Sequence, residues 1–213
     1  MALQLLVIYR MRQGFDRRYP GVFFYLLVLF LTSVADSAAA IDPQAWGGWY
    51  RPYFGLNNTA RHLAGLAAVV WLYFHATARL PTRWKLRSRV LLVVAVVVGA
   101  SLYVHYPGRM SWSYMAIVGR DMSFLTALLN LVLWFALIQT RKRERVLFLV
   151  SGGLGLNMAG EAIAQSLFDL NPALRPLGSA IAVGTHILCL LIWLRALKVY
   201  SLEQRAAARA EAH

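Results

Sequence analysis

Seventeen of the 22 Lys and Arg residues in this 213-residue chain are gathered into four short clusters, and long apolar stretches lie between the clusters. The clusters are Arg10, Arg12, Arg17 and Arg18; Arg79, Arg83, Lys85, Arg87 and Arg89; Arg141, Lys142, Arg143 and Arg145; and Arg195, Lys198, Arg205 and Arg209. Every second connection is therefore basic, the pattern that retention of Lys and Arg on the cytoplasmic side of a membrane produces. The remaining connections hold Arg51, Arg61, Arg109, Arg120 and Arg175, matched in number by Asp36, Asp42, Asp121, Glu161 and Asp169. The whole formal charge of +13 then belongs to one side. This predicts an all-α, polytopic transmembrane helix bundle with a cytoplasmic C-terminus.

A basic balance of this size on a soluble domain would point to nucleic acid. Here 59% of residues are hydrophobic and the mean hydropathy is +0.53, which places the chain in the membrane class instead. The expected partner is the bilayer itself, through an anionic inner leaflet that attracts each nearby cation by about 1 kcal/mol. A partner membrane subunit or a second copy stays open, and nucleic acid does not enter. Cys189 stands alone in a hydrophobic run, so there is no disulfide framework and no CxxC motif. The opening MALQLLVIY has no basic start and runs into Arg10 and Arg12, unlike a cleaved signal peptide.

A span needs roughly 20 apolar residues. Six stretches qualify: Pro20 to Ala40, Ala60 to Ala78, Arg89 to His105, Asp121 to Gln139, Val146 to Phe168 and Pro176 to Leu197. Pro20 and Pro176 suit the first helical position, where a missing amide proton costs nothing. Met1 to Tyr9 offer about 14 Å of helix, too short to span. Residues 1–19 are read as a short N-terminal helix and basic turn, 20–198 as the bundle and 199–213 as a cytoplasmic tail. Entry of the first helix into the membrane would make a seven-helix arrangement. The connections near residues 42–59 and 106–120 carry Trp46, Trp49, Tyr50, Tyr53, Phe54, Pro107, Trp112 and Tyr114, a composition of interfacial anchors, with a ligand lid or quinone-contacting loop the alternative for the first.

Charges inside spans cost about 2.5 to 3.5 kcal/mol at mid-helix on insertion scales, so each marks a functional candidate. Asn157, Glu161 and Gln165 recur at helical spacing and line one face. Ser123, Thr126 and Asn130 do the same in the preceding span, and Gly178, Ala182 and His186 in the last. Asp36 sits in the outer half of its helix among Thr32, Ser33 and Ser37, and Arg61 at the mouth of the next. Asp36, Arg61, Asn130, Asn157, Glu161 and His186 are thus the expected ligand-binding set around an outward-facing polar cavity. The bland alternative is an interhelical hydrogen-bond ladder, which suits Asn and Gln better than a carboxylate.

His62 and His105 fall at the outer ends of consecutive helices. Paired imidazoles on two helices are how haem b is axially held, so a haem or metal site at His62 and His105 is the alternative from a different class, an oxidoreductase or hydrolase. No HExxH is present. Tyr73 to Thr77 resembles a stretch of the alkaline ceramidase type of seven-span hydrolase, but the last helix carries only His186 where such proteins pair histidines, so that activity is not carried over.

Arg17, Arg18, Tyr19, Pro20, Phe23, Phe24 and Tyr25 resemble the start of the first span in a group of uncharacterised bacterial multi-span membrane proteins. The resemblance covers about a tenth of the chain and implies a bacterial inner membrane but no activity. The expected function is non-enzymatic: binding a small molecule or ion as a sensor, accessory subunit or carrier.

Overall fold

The computed structural model describes residues 1–41, 44, 50–78, 80–106, 112–139 and 144–211. Asp42, Trp46, Trp49, Arg79, Pro107, Arg109, Arg141, Lys142 and Arg143 lie outside the described residues. The described chain is helical, without strands: α1 Ala2–Met11, α2 Phe15–Arg18, α3 Pro20–Ile41, α4 Tyr50–Ala76, α5 Arg83–Val104, α6 Trp112–Gln139, α7 Arg145–Leu170, a 3-10 turn Pro172–Leu174, and α8 Arg175–Glu211.

Among the described residues, α3, α5, α6, α7 and the run Pro172–Ala206 are long and apolar enough to cross a membrane. α4 is absent from that set although it has 27 residues. The reason is its polar load: Asn57, Asn58, Arg61, His62 and His75 dilute an otherwise apolar helix. α4 and α6 also begin well before Ala60 and Asp121, so the aromatic stretches ahead of those residues are partly helix. Pro52 does not prevent this, because a proline in the first turn takes no needed amide proton away. α8 runs unbroken through the expected tail to Glu211.

α1 buries Gln4, Val7 and Met11 on one face against α3 and α8. Gly14, with a φ of 105°, takes the left-handed turn into α2, and Tyr200 Oη donates to the Gly14 carbonyl at 3.3 Å. The described Lys and Arg of the basic clusters lie at this end. Arg18 stands 3.7 Å from Glu144, Tyr19 packs 5.3 Å from the His75 ring, and Arg87 donates to the Phe74 carbonyl.

α7 is the central helix. In membranes close packing and polar contacts, rather than the hydrophobic effect, hold helices together, and the small residues of α7 provide both. At Gly153 a Cβ would stand 2.7 Å from Trp193 Nε1, an indole that is fully buried and donates to the Val150 carbonyl at 3.0 Å. At Gly155 a Cβ would collide with the Asn130 amide of α6. α5, in contrast, touches α4 and α6 lightly; 11% of its apolar window is buried, against 56% in α7.

Candidate functional site

Ion pairing begins at α3 and α4. Asp36 and Arg61 form a salt bridge, their side chains 24% and 23% exposed, and Arg61 Nε also donates to Thr32 Oγ1 at 2.7 Å. Asn57, one turn earlier on α4, donates through its amide to both the Asp36 carboxylate and the Thr32 carbonyl. Asp36 and Arg61 thus neutralise each other, with Asn57 and Thr32 hydrogen-bonded beside them, at the end of the bundle away from the basic clusters.

The next residue of α4 turns inward. His62 is fully buried; its Nδ1 shares a 2.7 Å hydrogen bond with Ser123 Oγ of α6 and stands 3.7 Å from Glu161 Oε2 of α7. Three helices therefore meet at one imidazole. Glu161 keeps 20% of its side chain uncovered, whereas Ser123 is closed. Gly119 permits this approach, because a Cβ there would lie 2.9 Å from His62 Cδ2 and 3.1 Å from Asn58 Nδ2. Among the described residues, His62 Nε2 is buried without a hydrogen-bond partner. An orphaned buried polar group costs about 1 to 3 kcal/mol, so its retention is informative.

Asn157 follows the same face of α7 one turn from Glu161 and donates to Tyr25 Oη at 2.9 Å, with Asn157 fully enclosed. Asn130 and His186 are held elsewhere. Asn130 lies against Gly155, and His186 Nε2 is 3.0 Å from the Gln4 amide nitrogen of α1. Of the six residues expected to line one cavity, Asp36, Arg61 and Glu161 fall around the adjacent α4 residues Arg61 and His62. Asn157 is their neighbour along α7. The cavities described in the structure lie away from this cluster, at the basic end and in the groove between α5 and α6.

His62 and His105 are not brought together. His105 Nε2 lies 3.3 Å from Asp121 Oδ2, whose carboxylate also accepts from Ser101 Oγ at 2.7 Å. Asp121 and Ser123 are two residues apart on α6, about 200° around a helix that advances about 100° per residue. The two imidazoles thus meet nearly opposite faces of α6, an arrangement that gives a single haem iron no pair of axial ligands. Among the described residues, no group of three or more His, Cys, Asp or Glu is placed to hold a metal ion.

Sequence reasoning missed Gln4, Asn57 and Tyr25 as partners. Gln4 carried a readable signal, being the single polar side chain in an apolar run of nine. Tyr25 and Asn57 carried none, because only the packing of α3 against α4 and α7 puts them opposite Asn157 and Asp36. No family model, no curated protein and no solved structure matches this chain.

Proposed function

We propose that this chain is a non-enzymatic multi-pass protein of a bacterial inner membrane that binds a proton or small cation at His62, Ser123 and Glu161, as a sensor or accessory subunit. The observation that carries the reading is the enclosed imidazole of His62. One nitrogen is committed to Ser123 and Glu161, and the other has no partner among the described residues. An imidazole and a carboxylate 3.7 Å apart, with a hydroxyl hydrogen-bonded to the imidazole, put two proton-accepting groups side by side in an enclosed site. The Asp36–Arg61 pair stands one residue away along α4 and sets the charge at the approach.

In this reading α3 to α8 are six spans and the basic end, with the end of α8, is cytoplasmic, as Lys and Arg retention requires. The 27 residues of α4 give about 40 Å of helix, enough to cross. Its polar groups at Asn57, Arg61 and His62 engage α3, α6 and α7 and so avoid lipid. Carriers commonly use discontinuous helices at mid-membrane. The described helices run unbroken, which favours sensor or subunit over carrier.

Infrared difference spectra of the full chain reconstituted in lipid test this. Acidification is expected to produce a carboxylic acid C=O band that is lost in Glu161→Gln and displaced in His62→Gln. An unchanged band in folded Glu161→Gln would leave only an interhelical hydrogen-bond role for the cluster.

A further inference from the structure

The cleft between α1 and α8 at the basic end has a volume of about 610 Å³ and a graded wall. Leu6, Leu194 and Leu197 supply its apolar lining, and Arg10, Lys198 and Arg205 its basic lining, with Arg10 and Arg205 nearer the helix ends than Leu6 and Leu194. The grading follows from helical spacing. Leu6 and Arg10 are one turn apart on α1, and Leu194, Lys198 and Ser201 follow at successive turns on α8. Gln13 and Ser201 add further hydrogen-bonding groups, and no carboxylate is among the lining residues. The larger cavity of about 850 Å³ beside α7 differs here, since Glu144 accompanies Arg145 and Arg195.

We infer that this cleft is a binding site for an anionic phospholipid. Its phosphodiester sits among Arg10, Lys198 and Arg205, and its acyl chains descend along the three leucines. Uncompensated cations at headgroup depth over an apolar floor match a phospholipid in both charge and polarity order. A free phosphate would use only the upper half.

Native mass spectrometry of the full chain in non-ionic detergent, with equal amounts of phosphatidylglycerol and phosphatidylethanolamine, tests the site. The protein is expected to retain phosphatidylglycerol on the order of tenfold more often. The triple variant Arg10→Gln, Lys198→Gln, Arg205→Gln is expected to lose that preference. The triple variant Arg83→Gln, Lys85→Gln, Arg89→Gln, on the same end, is expected to keep it. All six side chains are exposed, so folding is not at stake. Equal retention of the two lipids, or equal loss in both variants, overturns the inference. So does displacement of the lipid by millimolar inorganic phosphate, which would mark a site for a free anion.

Discussion

Arg61 neutralises Asp36 across α3 and α4 while its Nε holds Thr32, so the guanidinium serves two acceptors on one neighbouring helix turn. Removing one partner leaves the other charge uncompensated between the two helices. Asp36→Asn and Arg61→Gln are each expected to destabilise the folded protein by about 2 kcal/mol, and the double variant by less than their sum. Thermal unfolding in detergent across the four proteins checks this; strict additivity would mean that the pair does not couple.

Gly153 and Gly99 separate close packing from helix propensity. Gly153→Ala drives a methyl against the Trp193 indole and is expected to cost about 1 to 3 kcal/mol. Gly99→Ala meets nothing within 4 Å and is expected to be neutral or stabilising by up to about 1 kcal/mol. Unfolding midpoints of the two variants should shift in opposite directions, or at least differ in rank.

Tyr19, at the basic end ahead of α3, is fully buried against Phe15, with its hydroxyl lacking a partner among the described residues. Burial pushes its phenol up to about 12, against a smaller lowering by Arg18. Because the folded value exceeds the unfolded one, the stability it supports is intact below about pH 10 and is lost as pH rises toward 12. Ultraviolet titration should show that Tyr19→Phe removes one tyrosinate transition near pH 12 and flattens the alkaline loss of stability.

Topology is open to cysteine labelling, because Cys189 is buried and contributes little background. Asp169→Cys, at a half-exposed site, is expected to react with an impermeant maleimide on intact spheroplasts. Ser88→Cys, exposed at the basic end, is expected to react only after permeabilisation. Labelling in the reverse order would invert the proposed orientation.

Haem offers a contrast with sequence expectation. Since His62 and His105 meet nearly opposite faces of α6, haem added to the purified chain is expected to give no Soret band that depends on both residues. A band abolished by His62→Ala and by His105→Ala would contradict the arrangement of the three helices.

Several elements were legible in the sequence because membrane insertion makes them expensive to hide. Apolar runs located α3, α5, α6, α7 and α8, and the cost of a carboxylate within a span singled out Glu161. The starts of α4 and α6 were not legible, since Trp, Tyr, Gly and Pro describe an interfacial loop and a helix's first turns equally well. His62 and His105 looked paired because they share a level in consecutive helices. What sequence spacing does not contain is that α6 packs so that Ser123 takes one imidazole and Asp121 the other. His186 was likewise expected in the ligand-binding set, whereas its Nε2 meets Gln4 of the short α1.

The position of α7 makes its register a constraint on change within the chain. Its glycines seat α6 and α8 at the same time as Glu161 addresses α4. A single residue inserted between Gly155 and Glu161 would rotate the carboxylate about 100° away from His62 while leaving Gly153 under Trp193. Substitutions can accumulate on the faces of this helix away from its glycine contacts, whereas insertions and deletions have to fall in the connections outside it.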